Sequence, residues 1–115
     1  MIREFNSLEE IEEYYDVDIN AYVFKENGEY IDLVIFNFDL NVNANIEVYN
    51  INACDIIAND IAAGDINAWN IDACNISYWA VCFAYNSIKC KSMTSKRENH
   101  KHFVLDGKLE VEEDE

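Results

Sequence analysis

Between Ile46 and Val81 the apolar residues follow a five-residue beat: Ile46, Ile51, Ile56, Ile61, Ile66, Ile71 and Ile76 recur at every fifth position, and Val81 takes the next slot. An Asp or Asn stands directly before each of these isoleucines, and Ala53, Ala58, Ala63, Ala68 and Ala73 each follow an isoleucine by two places. An amphipathic helix repeats its apolar positions at three and four, and a half-buried strand at two, so a strict five suits neither. It suits a chain that runs straight for a few residues, turns a corner and starts again. The eight apolar positions are then an inward-facing structural ladder.

The flanks carry other patterns. Ser7 followed by Glu10 has the form of a capping box, and Leu8, Ile11 and Tyr15 make a short apolar face, which predicts an amphipathic α-helix over residues 8–15. Residues 22–24 and 30–36 read as strands joined through Glu26-Asn27-Gly28, whose Asn-Gly pair favours the positive backbone angles of a hairpin turn. Phe36, Phe38, Leu40 and Val42 feed into the repeat, and residues 103–111 read as a short strand pair turning at Asp106-Gly107. The organisation expected is one compact domain: a helix and hairpin cap over 1–40, the repeat over 41–92, and a basic loop, strand pair and acidic tail over 93–115. A short solenoid exposes backbone edges at both ends, and open edges invite pairing. The N-terminal segment can cover one end; the C-terminal pair is either a second cap or a dimer contact.

The repeating unit resembles that of the pentapeptide-repeat family, on the run from Ala44-Asn45-Ile46-Glu47-Val48 through Tyr49-Asn50-Ile51-Asn52-Ala53 to Trp79-Ala80-Val81-Cys82-Phe83. The resemblance implies a mainly β fold: a right-handed, four-sided β-solenoid of about two to three coils, with four pentapeptides in each coil. The chain departs from the usual pattern in one respect. The family places a small residue two positions before the large apolar one, whereas here Tyr49, Trp69 and Trp79 take those slots alongside Ala44 and Gly64. With twenty residues to a coil, neighbours about 4.8 Å apart would be Tyr49 and Trp69, Cys54 and Cys74, and Asn50 and Asn70. No acid of the repeat then faces another acid, which avoids like-charge columns. A fifteen-residue coil avoids them too.

Charge adds to this picture through its distribution. The chain of 115 residues has a net charge of −15. Eleven acids lie in residues 1–40 against Arg3 and Lys25, while the repeat adds Glu47, Asp55, Asp60, Asp65 and Asp72 without a basic residue. Lys89, Lys91, Lys96, Arg97 and Lys101 form the basic island before the acidic tail. Direct nucleic-acid binding by the body is disfavoured, because phosphate contacts need cations. No membrane span or signal peptide is legible, so a soluble, cytoplasmic protein is expected. Cys54, Cys74, Cys82 and Cys90 lie in or beside the apolar repeat and read as reduced structural thiols.

Candidate chemistry is sparse. His100 and His102 sit in a polar segment away in sequence from any Ser or Cys arranged as a nucleophile, so no catalytic site is expected. Cys82, Cys90, His100 and His102 have the ligand types for zinc, but their spacing matches no common finger, and neither metal nor cofactor is expected. Tyr49, Trp69, Tyr78, Trp79, Phe83 and Tyr85 supply either a partner-binding surface, with Tyr49 and Trp69 in one column, or packing between body and caps. Some pentapeptide-repeat proteins act as DNA mimics that occupy the DNA-binding groove of topoisomerases. That implied role falls on Glu9, Glu10, Glu12, Glu13, Asp16 and Asp18, because the acids of the repeat form no single stripe in the twenty-residue register. The layout also resembles small uncharacterised phage and prophage proteins of Gram-positive bacteria, which implies a host-cytoplasm setting. The expectation is a non-enzymatic acidic module that binds a protein, such as a host DNA-processing or defence enzyme. The alternative is a structural protein that self-assembles through its solenoid ends or aromatic column, or a homodimer joining the basic island to the acidic cap.

Overall fold

The computed structural model describes residues 2–79, 81–95, 101–105, 107 and 109–111, with backbone only at 95 and 101–103. It is a mainly β solenoid of about four turns, with extents of 36 × 26 × 25 Å. Successive pentapeptides supply Asn45–Glu47, Asn50–Asn52 and Asp55–Ile57, one strand on each of three faces. Asp60–Ala62 then returns to pair in parallel with Asn45–Glu47, and Asp65–Asp72 pairs with both of the others by bending round a corner. The next coil is Asn75–Tyr78 followed by Val81–Cys90, and the last is built from Ser92–Ser95, Lys101–Val104 and Leu109–Val111.

In the regular part, stacked residues are 15 apart, as in the hydrogen-bonded pairs Asn45 with Asp60 and Asn50 with Asp65. The five-residue beat is compatible with a pentapeptide-repeat β-helix, but this register gives three sides and corrects the twenty-residue, four-sided coil. The coil count is also somewhat larger than the sequence led us to expect, because residues outside the strict beat join the stack. Ala21–Val23 and Leu33–Phe36 lie in register beneath Asn45–Glu47 and Asn50–Asn52, and Leu40–Asn41 lies beneath Asp55–Ile57.

The isoleucines explain the coil. Ile46, Ile51, Ile56, Ile61, Ile66, Ile71 and Ile76 are all buried, and each side chain removed from water contributes about 1.5–3 kcal/mol. Their β-branched shape suits the strand backbone they occupy. Val81 does not join them. One extra residue precedes it, so Val81 pairs with Asp65, stands 37% exposed, and Cys82 takes the inward place over Ile66. A bulge follows, with Tyr85 and Asn86 together opposite Trp69.

The Asp or Asn before each isoleucine has an equally direct role. On one face the Asp60 N–H donates to Asn45 Oδ1 at 3.1 Å, and the Asn75 N–H and Nδ2 donate to Asp60 Oδ1 at 3.2 and 3.0 Å. On the next, Asp65 N–H donates to Asn50 Oδ1 and Val81 N–H donates to Asp65 Oδ1. On the third, Asp55 N–H donates to Asp39 Oδ1, Asn70 Nδ2 to Asp55 Oδ1 and Ser87 Oγ to Asn70 Oδ1. Side-chain oxygens thus satisfy backbone donors that the turns leave over.

At the N-terminal end, Ile2–Phe5 pairs with Leu33–Phe36 and an aromatic plug of Phe5, Tyr14, Phe24 and Phe36 closes the interior, with ring centroids 5.2–6.1 Å apart. The expected α-helix is a 3-10 helix, Leu8–Tyr14. With three residues per turn, positions 8, 11 and 14 align, so Tyr14 turns inward in place of Tyr15. The capping box is altered as well: Glu10 accepts from the Asn6 N–H and the Ser7 hydroxyl, and Ser7 makes no side-chain cap. The turn at Asn27-Gly28 forms, with φ 54° and 82°, but its arms are only Lys25–Glu26 and Glu29–Tyr30; the expected strands 22–24 and 30–36 do not pair with each other, because Ala21–Val23 and Leu33–Phe36 join different faces of the coil. Residues 101–111 do not form the expected strand pair: Lys101–Val104 and Leu109–Val111 each pair in parallel with Val81–Cys90 as successive sides of the last coil. Asp106, half of the expected turn, lies outside the described residues.

Candidate interaction surfaces

The acidic cap follows from the local geometry of the 3-10 helix. Ile11 and Tyr14 anchor it inward, so Glu9, Glu10, Glu12 and Glu13 are left exposed, and Asp16 and Asp18 are exposed on the turn that follows. Asp16 Oδ1 accepts from the Asp18 N–H at 3.0 Å, which orders that turn. Beneath the helix, Arg3 makes a paired contact with Glu26, Nε to Oε1 at 2.8 Å and Nη2 to Oε2 at 2.9 Å. Tyr14 also donates to Glu26 Oε1 at 2.9 Å. The hydrogen bonds from Arg3 and Tyr14 lower the Glu26 carboxyl to about 2, and burial, followed by the Glu26 hydrogen bond, pushes Tyr14 up to about 12. Sequence reasoning missed this tie, because Arg3, Tyr14 and Glu26 come together only when the cap closes.

The aromatic residues separate by corner. Tyr49, Gly64 and Trp79 stack on one corner, with Gly64 N–H donating to Tyr49 O and Trp79 N–H to Gly64 O. Cys54 and Trp69 stack on a second, where Trp69 meets the Tyr85 ring at 4.5 Å. Tyr49 and Trp69 therefore do not share a column, nor do Cys54 and Cys74, which stands over Asn59 on the third corner. Tyr49, Trp69, Trp79 and Tyr85 are exposed, Phe83 is half-buried, and Tyr78 is enclosed in the coil. Of the residues two before each isoleucine, Tyr49 and Trp69 are exposed, Cys54, Asn59 and Cys74 half-buried, and Ala44 and Gly64 buried; which of these corners coincide was not legible in the sequence.

Two grooves border the face of Asn45–Glu47, Asp60–Ala62 and Asn75–Tyr78. One, of about 370 Å³, is lined by Ala62 and Ser77 with Asn45, Asp60, Asn75 and Ile19. The other, of about 340 Å³, is lined by Tyr30, Tyr49 and Trp79 with Glu47, and its floor is Ala62, Ala63 and Gly64.

All four cysteines are free thiols, Cys54 and Cys74 half-buried and Cys82 and Cys90 buried. Burial, then the neighbouring Cys90, pushes the Cys82 thiol up to about 12. Among the described residues no group of three or more His, Cys, Asp or Glu is placed to hold a metal ion. His100 and the His102 side chain lie outside the described residues. No described helix is long and apolar enough to cross a membrane. No protein-family model matches the chain, and comparison with curated proteins and with solved structures gives no match.

Proposed function

We propose that this chain is a non-catalytic, acidic protein-binding module of the pentapeptide-repeat type, working in a phage or prophage setting in the host cytoplasm. Its N-terminal cap presents carboxylates to the basic, DNA-binding surface of a host DNA-processing or defence enzyme. The observation that carries this reading is the division of labour among the acids. Asp55, Asp60 and Asp65 each accept hydrogen bonds from the next coil, whereas Glu9, Glu12, Glu13 and Asp18 stand exposed on the cap. Oriented carboxylates on a protein of net charge −15 steer a cationic partner and compete with phosphate for the same side chains.

The test is capture from host lysate at low and high salt, with mass spectrometry of the bound protein. Recovery of a DNA-binding enzyme at low salt, lost at high salt and lost with E9Q/E10Q/E12Q/E13Q, supports the reading. Capture that ignores both salt and those four substitutions refutes it.

A second reading, self-assembly, is favoured by the C-terminal end. Among the described residues no further strand pairs with the outer edge of Ser92–Ser95, Lys101–Val104 or Leu109–Val111. Such an edge can template a second copy. Light scattering over a concentration series separates the readings, since a strict monomer removes this one.

A further inference from the structure

The groove at the Tyr49 corner has a chemistry of its own. Tyr49 and Trp79 are each 52% exposed and Tyr30 is 43% exposed, and the three line one groove. Between Tyr49 and Trp79 the corner residue is Gly64. A Cβ there would come within 2.6 Å of the Tyr49 carbonyl oxygen and 3.0 Å of its ring. Glycine therefore keeps the floor low and lets the Tyr49 ring lean over it. Glu47 supplies the charged side chain of the lining, and among the described residues no Lys or Arg lines the groove. One of the rings already receives a cation: Lys25 Nζ lies 4.5 Å from the centroid of Tyr30.

Three aromatic rings and a carboxylate around a shallow groove match a cation with a flat, weakly hydrated surface. An aromatic face attracts positive charge through its quadrupole, and the attraction grows as the cation is desolvated. A guanidinium fits better than an ammonium, because its plane can lie on a ring while its N–H groups reach a carboxylate in pairs. The net charge of −15 favours the approach of such a partner. We infer that the groove formed by Tyr30, Tyr49, Trp79 and Glu47 is a docking site for an arginine side chain carried on a basic segment of a partner protein. This site is separate from the acidic cap, and its test does not depend on capture through the cap.

The experiment is a fluorescence titration at fixed ionic strength. W69F leaves Trp79 as the reporter, and the probe is the short peptide acetyl-Gly-Gly-Arg-Gly-Gly-amide. Its partners are the same peptide with lysine or with citrulline, the neutral isostere of arginine. The expected result is saturable quenching by the arginine peptide, with citrulline, which loses the charge-assisted contact, and lysine, which loses the flat paired N–H geometry, each binding at least about tenfold more weakly. E47Q and Y49A, in proteins shown to keep the native circular dichroism, each weaken binding about tenfold, and E9Q/E10Q/E12Q/E13Q leaves it unchanged. The inference is overturned if citrulline or lysine binds as well as arginine, if quenching does not saturate, or if E47Q and Y49A leave it intact. The peptide comparison uses the same folded protein throughout, so a variant that fails to fold does not remove the test.

Discussion

A crosslink between positions 62 and 77 tests the three-sided coil at its root. Ala62 and Ser77 are registered neighbours in parallel strands, both pointing away from the core because Ile61 and Ile76 beside them are buried. Strands in a sheet lie about 4.8 Å apart, within the Cα separation that a disulfide spans. The double substitution A62C/S77C, with Cys54→Ser and Cys74→Ser to remove the half-buried thiols, should oxidise to a single bridge. It would close a loop of about 15 residues, which by chain entropy stabilises by about 3 kcal/mol. For 115 residues the unfolding entropy is about 0.24 kcal/mol/K, so the upper limit of the shift in Tm is about 12 °C. Strain reduces what engineered bridges deliver, and a rise of about 4–12 °C in the oxidised protein over the reduced one is the expected result. Peptide mapping gives the connectivity and circular dichroism the melting curve. In a twenty-residue coil, position 62 would instead face position 82, where a native cysteine stands. A bridge from position 62 to Cys82, or no bridge to position 77, refutes the fifteen-residue register.

The remaining predictions address the ladders, the cap and the corners. Asp60→Ala should cost about 1–2 kcal/mol in urea unfolding, since it removes the Oδ1 that accepts from both the N–H and the Nδ2 of Asn75, whereas Asp60→Asn keeps Oδ1 and should cost under about 0.5 kcal/mol. The Glu26 carboxyl is lowered from 4.5 to about 2, so its contribution is complete above about pH 4.5 and is lost as pH falls through 2. Acid titrations of stability for the wild type and E26Q should therefore run parallel above that window and converge within it; parallel curves down to pH 2 would contradict the Arg3–Glu26–Tyr14 tie. In the native protein a thiol reagent should modify Cys54 and Cys74, with Cys82 and Cys90 reacting only after denaturant is added, as counted by intact mass. Gly64→Ala should lower stability by about 1–3 kcal/mol, because the new methyl meets the Tyr49 carbonyl; a neutral melting temperature would argue against the close stacking of that corner.

Part of the candidate surface was legible in advance. Exposed acids at 9–18 follow from any arrangement that turns Ile11 inward. The groove did not, because Tyr30 comes from the hairpin, Tyr49 and Gly64 from successive coils, and Trp79 from a third. The register was not legible either: at a spacing of fifteen, Asp60 meets Asn45 and Asn75, Asp65 meets Asn50, and Asp55 meets Asn70. At twenty, Asp60 would meet Ala80. An Asn amide offers a donor to a carboxylate, but Asp72 faces Ile57 and Lys89 in the fold, and at twenty Asp55, Asp65 and Asp72 would meet Asn75, Asn45 and Asn52, so the pairing of Asp with Asn does not choose the register.

By itself the sequence determined that this chain coils in five-residue steps with isoleucine inside, because a buried apolar residue at every fifth position has no other use in a regular backbone. It also determined the hairpin at Asn27-Gly28, since two successive positive φ angles are a local demand that these residues meet. The number of sides was decided only in the tertiary structure. A beat of five is indifferent to whether the fourth or the fifth strand returns above the first, and the choice rests on contacts between residues a full coil apart: Tyr49 leaning into the space left by Gly64, Asn75 reaching Asp60, and Trp69 under Tyr85. The same distance dependence explains Val81, where one additional residue at a corner rotates the rest of the strand and places Cys82 in the core.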